Sequence, residues 1–387
     1  MDTPSSLIRD ISPPTISKRR KLSIARDCSK ARKPVSPGIE PTLAAVGAEK
    51  AKVDDHVSYF KKHLSRFFRP SLDVSPRLSI SQFVDLYTSN LHPHGQHFVI
   101  HQHNHPIAGL HYDLRLQFSK TSSLSFAIPN GMPGHPNSNS LGRIAIETRV
   151  HNLWNHLIES ASFKTGSLLI WDTGTYGILP RKTAKSKISP SPQTTDQDSD
   201  SDYDLRTSFT NTRPLDSNLI PETHHENNKL ISAFQSRYIR LQLHGTRLPE
   251  TTPVTKRKQT TYSTTSDSDS DSNPIPEPLQ QIEQNLDTDS ETNTATRLHN
   301  AYPGSTNTIN SIHQRRWFLT LDRPSSGFVQ IRPGVWGRDG EAGFEPFFVR
   351  GREYERSIVT GRLAADVESD EGLEGFRGRG GWVGITT

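Results

Sequence analysis

Cysteine is almost missing from this chain. Cys28 is the only one, so no disulfide can form within it, and a reducing compartment is the default. No run of 18 apolar residues exists, which excludes a membrane-spanning helix of the ordinary kind. The first residues also lack the apolar core of a secretory signal. Apolar residues are scarce, at 32%, while Pro and Gly number 27 and 25 among 387. Much of the chain therefore cannot bury a core, and one modest domain with long insertions fits better than two compact ones. Several catalytic signatures are missing too. There is no Gly-rich phosphate loop ending in Lys-Ser/Thr, which argues against nucleotide triphosphate hydrolysis. There is no Lys-x-Asp-Gly adenylation motif and no nucleophile elbow, and Cys28 lies in a tail unsuited to a nucleophile.

What charge there is lies unevenly. Residues 1–50 hold ten Lys/Arg against five Asp/Glu, which accounts for the whole net charge of +5. Residues 1–55 read as a disordered basic tail. Within it Lys18-Arg19-Arg20-Lys21, then Lys30, Arg32 and Lys33, are spaced like a bipartite nuclear-localisation signal. A domain is expected over 56–335, interrupted by disordered inserts at 183–228 and 250–310. The second insert contains the repeat 266–272, alternating Ser and Asp, which reads as a solvating spacer open to phosphorylation. A Gly- and Arg-rich extension fills 336–387. Its aromatics, Phe344, Phe347 and Phe348, suit either nucleic acid or a cap on the core.

Helical spacing predicts short helices over 56–70 and 80–90. Alternation and turn residues predict strands over 98–103, 110–118, 124–128, 143–150, 167–171, 238–244, 317–322 and 327–331, with turns at Asn130-Gly131, Pro133-Gly134 and Thr173-Gly174. The chain is thus mainly β.

The strand at 110–118 alternates without a fault. One face carries Leu110, Tyr112, Leu114, Leu116 and Phe118; the other carries His111, Asp113, Arg115 and Gln117. Successive side chains on that face stand about 6–7 Å apart. An imidazole, a carboxylate and a guanidinium in a row suit a cation and a phosphate held together. The strand at 98–103 puts Val99, His101 and His103 on one face. Paired as a hairpin, it brings His103 near His111 and Asp113, a mixed nitrogen and oxygen set that suits Mn²⁺, Fe²⁺ or Zn²⁺. The strand from Arg143 to His151 points Arg143, Ala145, Glu147, Arg149 and His151 one way, and His151 alone reads as a strand-end residue facing water.

These segments, in order, resemble a known family. His97 to Leu116, then 125–131 (Ser-Phe-Ala-Ile-Pro-Asn-Gly), then Arg143 to His151, then 169–176 (Leu-Ile-Trp-Asp-Thr-Gly-Thr-Tyr), are similar to the 3′-phosphoesterase domain of bacterial DNA ligase D, and 238–248 resembles its later strand. The resemblance implies a single compact β-barrel with flanking short helices and a polar, metal-containing pocket on one side. It implies Mn²⁺-dependent removal of a 3′-terminal ribonucleoside and then of the 3′-phosphate, leaving a 3′-OH. By position, His103, His111 and Asp113 correspond to metal ligands, Arg115 to the arginine on the scissile phosphate, and His151 to a catalytic histidine on that phosphate. The partners it implies are DNA or RNA–DNA 3′ ends and a repair ligase or polymerase, for a stand-alone module; the chain is expected to be a monomer with no membrane contact, nuclear on its basic clusters.

The chain departs from the family in three places. The loop between His103 and His111 is two residues longer. The tyrosine four residues after the third histidine is Asn155. An upstream catalytic arginine has three candidates here, Arg66, Arg69 and Arg77. These departures keep a second reading open, a non-catalytic nucleic-acid-binding module on the same fold. A third reading, a metal-dependent oxygenase, rests on the likeness of His-x-Asp plus a distant His to a facial triad.

Overall fold

The computed structural model describes residues 41–47, 51–70, 76–182, 225–248, 253–257, 290–338, 340 and 343–385. Cys28, the two basic clusters and the Ser-Asp repeat lie outside them. Alternation produces β1 (His97–His105) and β2 (Gly109–Gln117). They pair antiparallel, with His103 opposite His111, His101 opposite Asp113 and Val99 opposite Arg115. The two extra loop residues do not disturb this register. The strands run on to His105 and Gly109, and a three-residue loop joins them. Gly109 sits there at φ 78°, where a side chain would be strained, and His105 Nδ1 accepts the N–H groups of Ile107 and Ala108.

The wall continues through β3 (Ser122–Ile128), β4 (Gly142–Glu147), β5 (His151–Asn152), β6 (Ser160–Ser162), β7 (Gly166–Leu179), β8 (Tyr238–Gly245), β9 (Pro253–Arg257) and β10 (Arg316–Leu321). The neighbour order is β1-β2-β3-β4-β10-β9-β8-β7, and β7 pairs back to β1, so eight antiparallel strands close a barrel. Short β5 and β6 attach to β3 and β7, and β11 (Phe328–Arg332) and β12 (Val335–Arg338) form a separate hairpin. Closure leaves no unpaired edge.

Phe98, Ile100, Tyr112, Leu114, Phe126 and Trp171 fill the interior. A second core lies outside the wall. There α1 (Leu43–Gly47), α2 (His56–Arg66) and α3 (Ile80–Ser89) lay Leu43, Phe60, Leu64, Phe83 and Tyr87 against Val99 and Ile170. Capping starts both longer helices: Asp55 accepts from Ser58 N–H, and Ser79 and Gln82 form a reciprocal box. Helices α4 (Glu226–Gln235), α5 (Ser290–His299) and α6 (Ala364–Asp370) complete the fold.

The structure revises three expectations and, for the C-terminal extension, favours one of two open alternatives. The strand expected over 143–150 stops at Glu147, because that buried carboxylate turns inward to Trp317 Nε1 at 2.8 Å and Arg315 at 2.6 Å. The chain then crosses to β3, and His151 resumes on the outer face, out of phase with Arg143, Ala145 and Glu147. The strand expected over 167–171 runs to Leu179. Gly174 is not a turn glycine: a Cβ there would lie 2.0 Å from the His244 carbonyl oxygen, so it is needed for the approach of β8. The stretch 250–310 contains the barrel strand β9 and helix α5. The C-terminal extension caps the core, with Val349, Ala364, Val367 and Leu373 packed in the barrel cluster.

That extension is locked by a buried ion pair. Arg362 meets Glu159 at 3.0 Å, both side chains fully enclosed. Glu159 also accepts from Thr360 Oγ1 at 2.5 Å, from Ser357 Oγ and from the Ile170 N–H. Losing one partner of such a pair strands the other, so Arg362→Met should lower unfolding free energy by about 3–5 kcal/mol in urea titrations. Elsewhere Asp172 holds the turn after β8, accepting N–H groups of Thr246, Arg247 and Leu248 at 2.8–3.0 Å. Burial raises its pKa to about 6, above about 3.9 in an unfolded chain. The native state therefore holds the extra proton between these values. The stabilisation is full below about pH 4 and is lost as pH rises through about 6. The stability difference between wild type and Asp172→Asn should shrink from pH 4 to pH 7 by up to about 3 kcal/mol; a flat difference rejects the assignment.

Candidate metal and phosphate site

The register of β1 and β2 gathers the predicted metal ligands at one point on the outer wall. One ligand atom from each of His103, His111 and Asp113 lies within 4.8 Å of the others. His103 Nδ1 is 3.3 Å from Asp113 Oδ2, and His111 Nε2 is 3.4 Å from Asp113 Oδ1. Two ligands bound at about 2.1 Å to one tetrahedral ion stand about 3.4 Å apart, close to both of these spacings. The other ring nitrogens are held by carbonyls: His103 Nε2 donates to Thr165 O at 2.8 Å and His111 Nδ1 to Gly109 O at 2.9 Å. Each bond fixes a tautomer that leaves the lone pair facing Asp113, the outer support of metal-binding histidines. Two imidazoles and a carboxylate form a donor set for a divalent transition metal.

Electrostatics divides the histidines. Burial pulls His111 down, but the Asp113 charge outweighs it and the net shift is upward. For Asp113 burial works upward, and His111 and His103 overcome it, holding the carboxyl well below its ordinary range. Burial, then the Arg115 charge, pushes His101 and His151 well below theirs.

Arg115 adjoins this set, its NH2 3.2 Å from Asp113 Oδ2. Its Nε and NH1 are buried and have no partner among the described residues, as is Ser125 Oγ, directly opposite on β3. Together they are buried donors without an acceptor, a deficit that an anion would make good. His151 faces the same side of the wall, opposite Ser123. Its Nδ1 donates to Arg149 O at 2.8 Å, which leaves Nε2 for a ligand.

Sequence reasoning missed two residues. His101 lies opposite Asp113, fully buried, with both ring nitrogens unpartnered among the described residues; its strand face was the available signal. Tyr302 packs its ring 4.7 Å from that of His151. The backbone carries it there: Tyr302 N–H donates to Val150 O at 2.9 Å, and Val150 N–H to Asn300 O. No local sequence signal links residue 302 to residue 151. Asn155 instead sits in a 3₁₀ turn, Leu153–Leu157.

The upstream arginines are engaged elsewhere. Arg69 binds Asp366 and Asp370, Arg77 donates to Arg69 O, and Arg66 stacks on Phe67. No hydrogen bond or ion pair among the described residues joins any of the three to Asp113 or Arg115. Thr173 donates to Phe98 O, so His97 Nε2 donates to Thr173 and His156 Nδ1 to His97 Nδ1, at 2.7 Å. This arrangement leaves the buried His156 Nε2 as an acceptor without a partner among the described residues.

No curated protein shows a matching sequence. The family model described as DNA Ligase D 3'-phosphoesterase domain matches residues 101–256, a segment that contains the three candidate ligands, Arg115 and His151. The hairpin and the closed barrel agree with that match, so residues 101–256 are similar to the DNA ligase D 3′-phosphoesterase domain.

Proposed function

We propose that this protein is a metal-dependent DNA 3′-end-processing phosphoesterase of DNA repair, removing a 3′-phosphate or 3′-terminal ribonucleotide to leave a 3′-OH. One observation carries the reading: His103, His111 and Asp113 converge beside a buried arginine whose two open N–H groups await an acceptor. In this reading the three residues hold Mn²⁺ or another divalent transition metal. Such an ion, when bound, supplies a Lewis acid and a water of lowered pKa.

The chain's own groups do the rest. Arg115 takes two phosphoryl oxygens through Nε and NH1 and opposes the charge that develops on them. Its tie to Asp113 keeps the guanidinium in place, and Ser125 Oγ adds a donor from the next strand. His151, neutral because burial and Arg115 depress it, gains a proton as a phosphate anion approaches and then donates from Nε2. Tyr302 braces that ring. His101 lies on the floor of the site, against Asp113.

The binding-module alternative draws on the remote Arg69, which binds Asp366 and Asp370, and on Arg77, which donates to Arg69 O. The oxygenase alternative is disfavoured by Arg115, since a buried guanidinium beside the ligands suits an anion better than dioxygen. We further propose that the protein works in the nucleus as a monomer, supplying ends to a repair ligase or polymerase.

Purified protein should release the terminal group from a primer–template ending in a 3′-phosphate or one ribonucleotide, with Mn²⁺ and not with chelator. His111→Ala and Asp113→Ala should lower the rate at least 1000-fold and abolish Mn²⁺ binding by calorimetry. Arg115→Ala should cost about 100- to 1000-fold in rate while Mn²⁺ still binds. Tight primer binding without product under every metal condition would leave only the binding-module reading. For localisation, alanine at Lys18, Arg19, Arg20 and Lys21 should move a tagged protein out of the nucleus, and an unchanged nuclear signal rejects that role.

A further inference from the structure

The barrel carries a second equipped surface, far from the histidines. Strand β9 lies four neighbours from β2 whichever way the closed wall is followed. Pairing across β8, β9 and β10 sets Tyr238, Lys256 and Phe318 in one row. The row faces outward, because the adjoining Ile239 and Leu319 are buried in the barrel core. Phe318 is 46% exposed. Beside the row, Trp336 of β12 and Arg323 wall a cleft of about 250 Å³ that also includes Tyr238 and Lys256.

Charge and rings alternate across this surface. Arg323 lies 4.8 Å from the Trp336 ring centre; Lys256 and Arg181 lie 5.3 and 5.4 Å from that of Tyr238. The one carboxylate in the cleft, Asp322, is neutralised by Lys182 at 2.6 Å and Arg240 at 2.9 Å. No ion pair among the described residues engages Arg181, Lys256 or Arg323. The face is thus cationic, with partly exposed rings between the cations. Single-stranded nucleic acid offers the complementary pattern, phosphates alternating with unstacked bases. A duplex offers only its phosphates here and leaves the rings without partners. A protein partner would need acidic residues, but nothing in an acidic surface calls for flat rings set between the cations.

We propose that the outer face of β8, β9 and β10, with Trp336, is a second binding site that takes single-stranded nucleic acid. Bases stack on Trp336 and Tyr238, and phosphates meet Lys256, Arg323 and Arg181. Lying across the barrel from the histidine cluster, this site holds a segment remote from the end being processed, or a separate strand. It neither requires the proposed chemistry nor follows from it.

Fluorescence anisotropy of the full chain with a labelled twelve-residue oligothymidylate, blocked at its 3′ end, tests the site. Lys256→Glu with Arg323→Glu should weaken binding at least tenfold and flatten its salt dependence, since two phosphate contacts are lost. Trp336→Ala should weaken the oligonucleotide about tenfold and leave inorganic polyphosphate binding unchanged, while Trp336→Phe keeps a ring and keeps most of the affinity. His111→Ala with Asp113→Ala should leave affinity within twofold, which separates this site from the other. Unchanged affinity in the charge-reversal variant overturns the proposal, provided its melting temperature matches wild type. Equal losses for polyphosphate and oligonucleotide in Trp336→Ala, or tighter binding of a blunt duplex than of the single strand, also overturn it.

Discussion

The side-chain period of a β-strand is two, and β1 and β2 hold that period in phase with each other. Val99 faces Arg115, His101 faces Asp113 and His103 faces His111, while Phe98, Ile100, Tyr112 and Leu114 turn the other way. A slip of one residue would drive His111, Asp113 and Arg115 into the apolar interior. The hydrophobic effect that fills the barrel therefore also aligns the ligands, and no separate device is needed to bring them together. The candidate ligands sit on rigid strands, where positional scatter is small, and not on loops.

Placing such residues on a covered wall has an electrostatic cost, and the structure meets it unequally. Asp113 is compensated by Arg115 and two imidazoles, so its charge persists under burial. For His101 and His151 the Asp113 charge does not offset burial and Arg115, and both stay neutral. The guanidinium of Arg115 is left partly unpaired in a buried position, which is unfavourable without an acceptor. An incoming anion would relieve that deficit, so the free protein spends stability on an unpaired arginine whose cost is recovered on binding.

The alternation over 110–118 and the run of histidines made half of this site legible, because the period of two is a local signal. The curved remainder was not. The reversal of phase between Glu147 and His151 depends on Trp317 and Arg315, about 170 residues further on. Tyr302 reaches His151 by a parallel bridge between Val150 and Ala301, and β9 is flanked by residues with the composition of a spacer. Gly174 read as a turn because a glycine demanded by a neighbouring strand looks the same in sequence as one demanded by φ. Composition left the C-terminal aromatics open between nucleic acid and a cap on the core, and the buried Val349, Ala364 and Val367 belong to the cap.

The C-terminal segment explains why the domain extends beyond the family match. Residues 101–256 include β2 to β8 and nearly all of β9, but not β10, which alone joins β9 to β4. Without β10 the wall would end in two unpaired edges and lose Trp317 and Leu319 from the interior. The same segment stitches the site's end of the barrel. Glu355 accepts from Tyr112 at 2.5 Å and Gln102 at 3.3 Å, and Glu368 accepts from Asn104 at 3.3 Å and Ser167 at 2.7 Å. Asn104 follows His103 directly, and Tyr112 stands between His111 and Asp113. Carboxylates from 355 to 368 therefore fix, from inside the barrel, the backbone whose outer face presents the ligands. Closure of the fold and aim of the site are one mechanical problem, and distant parts of the chain solve it together.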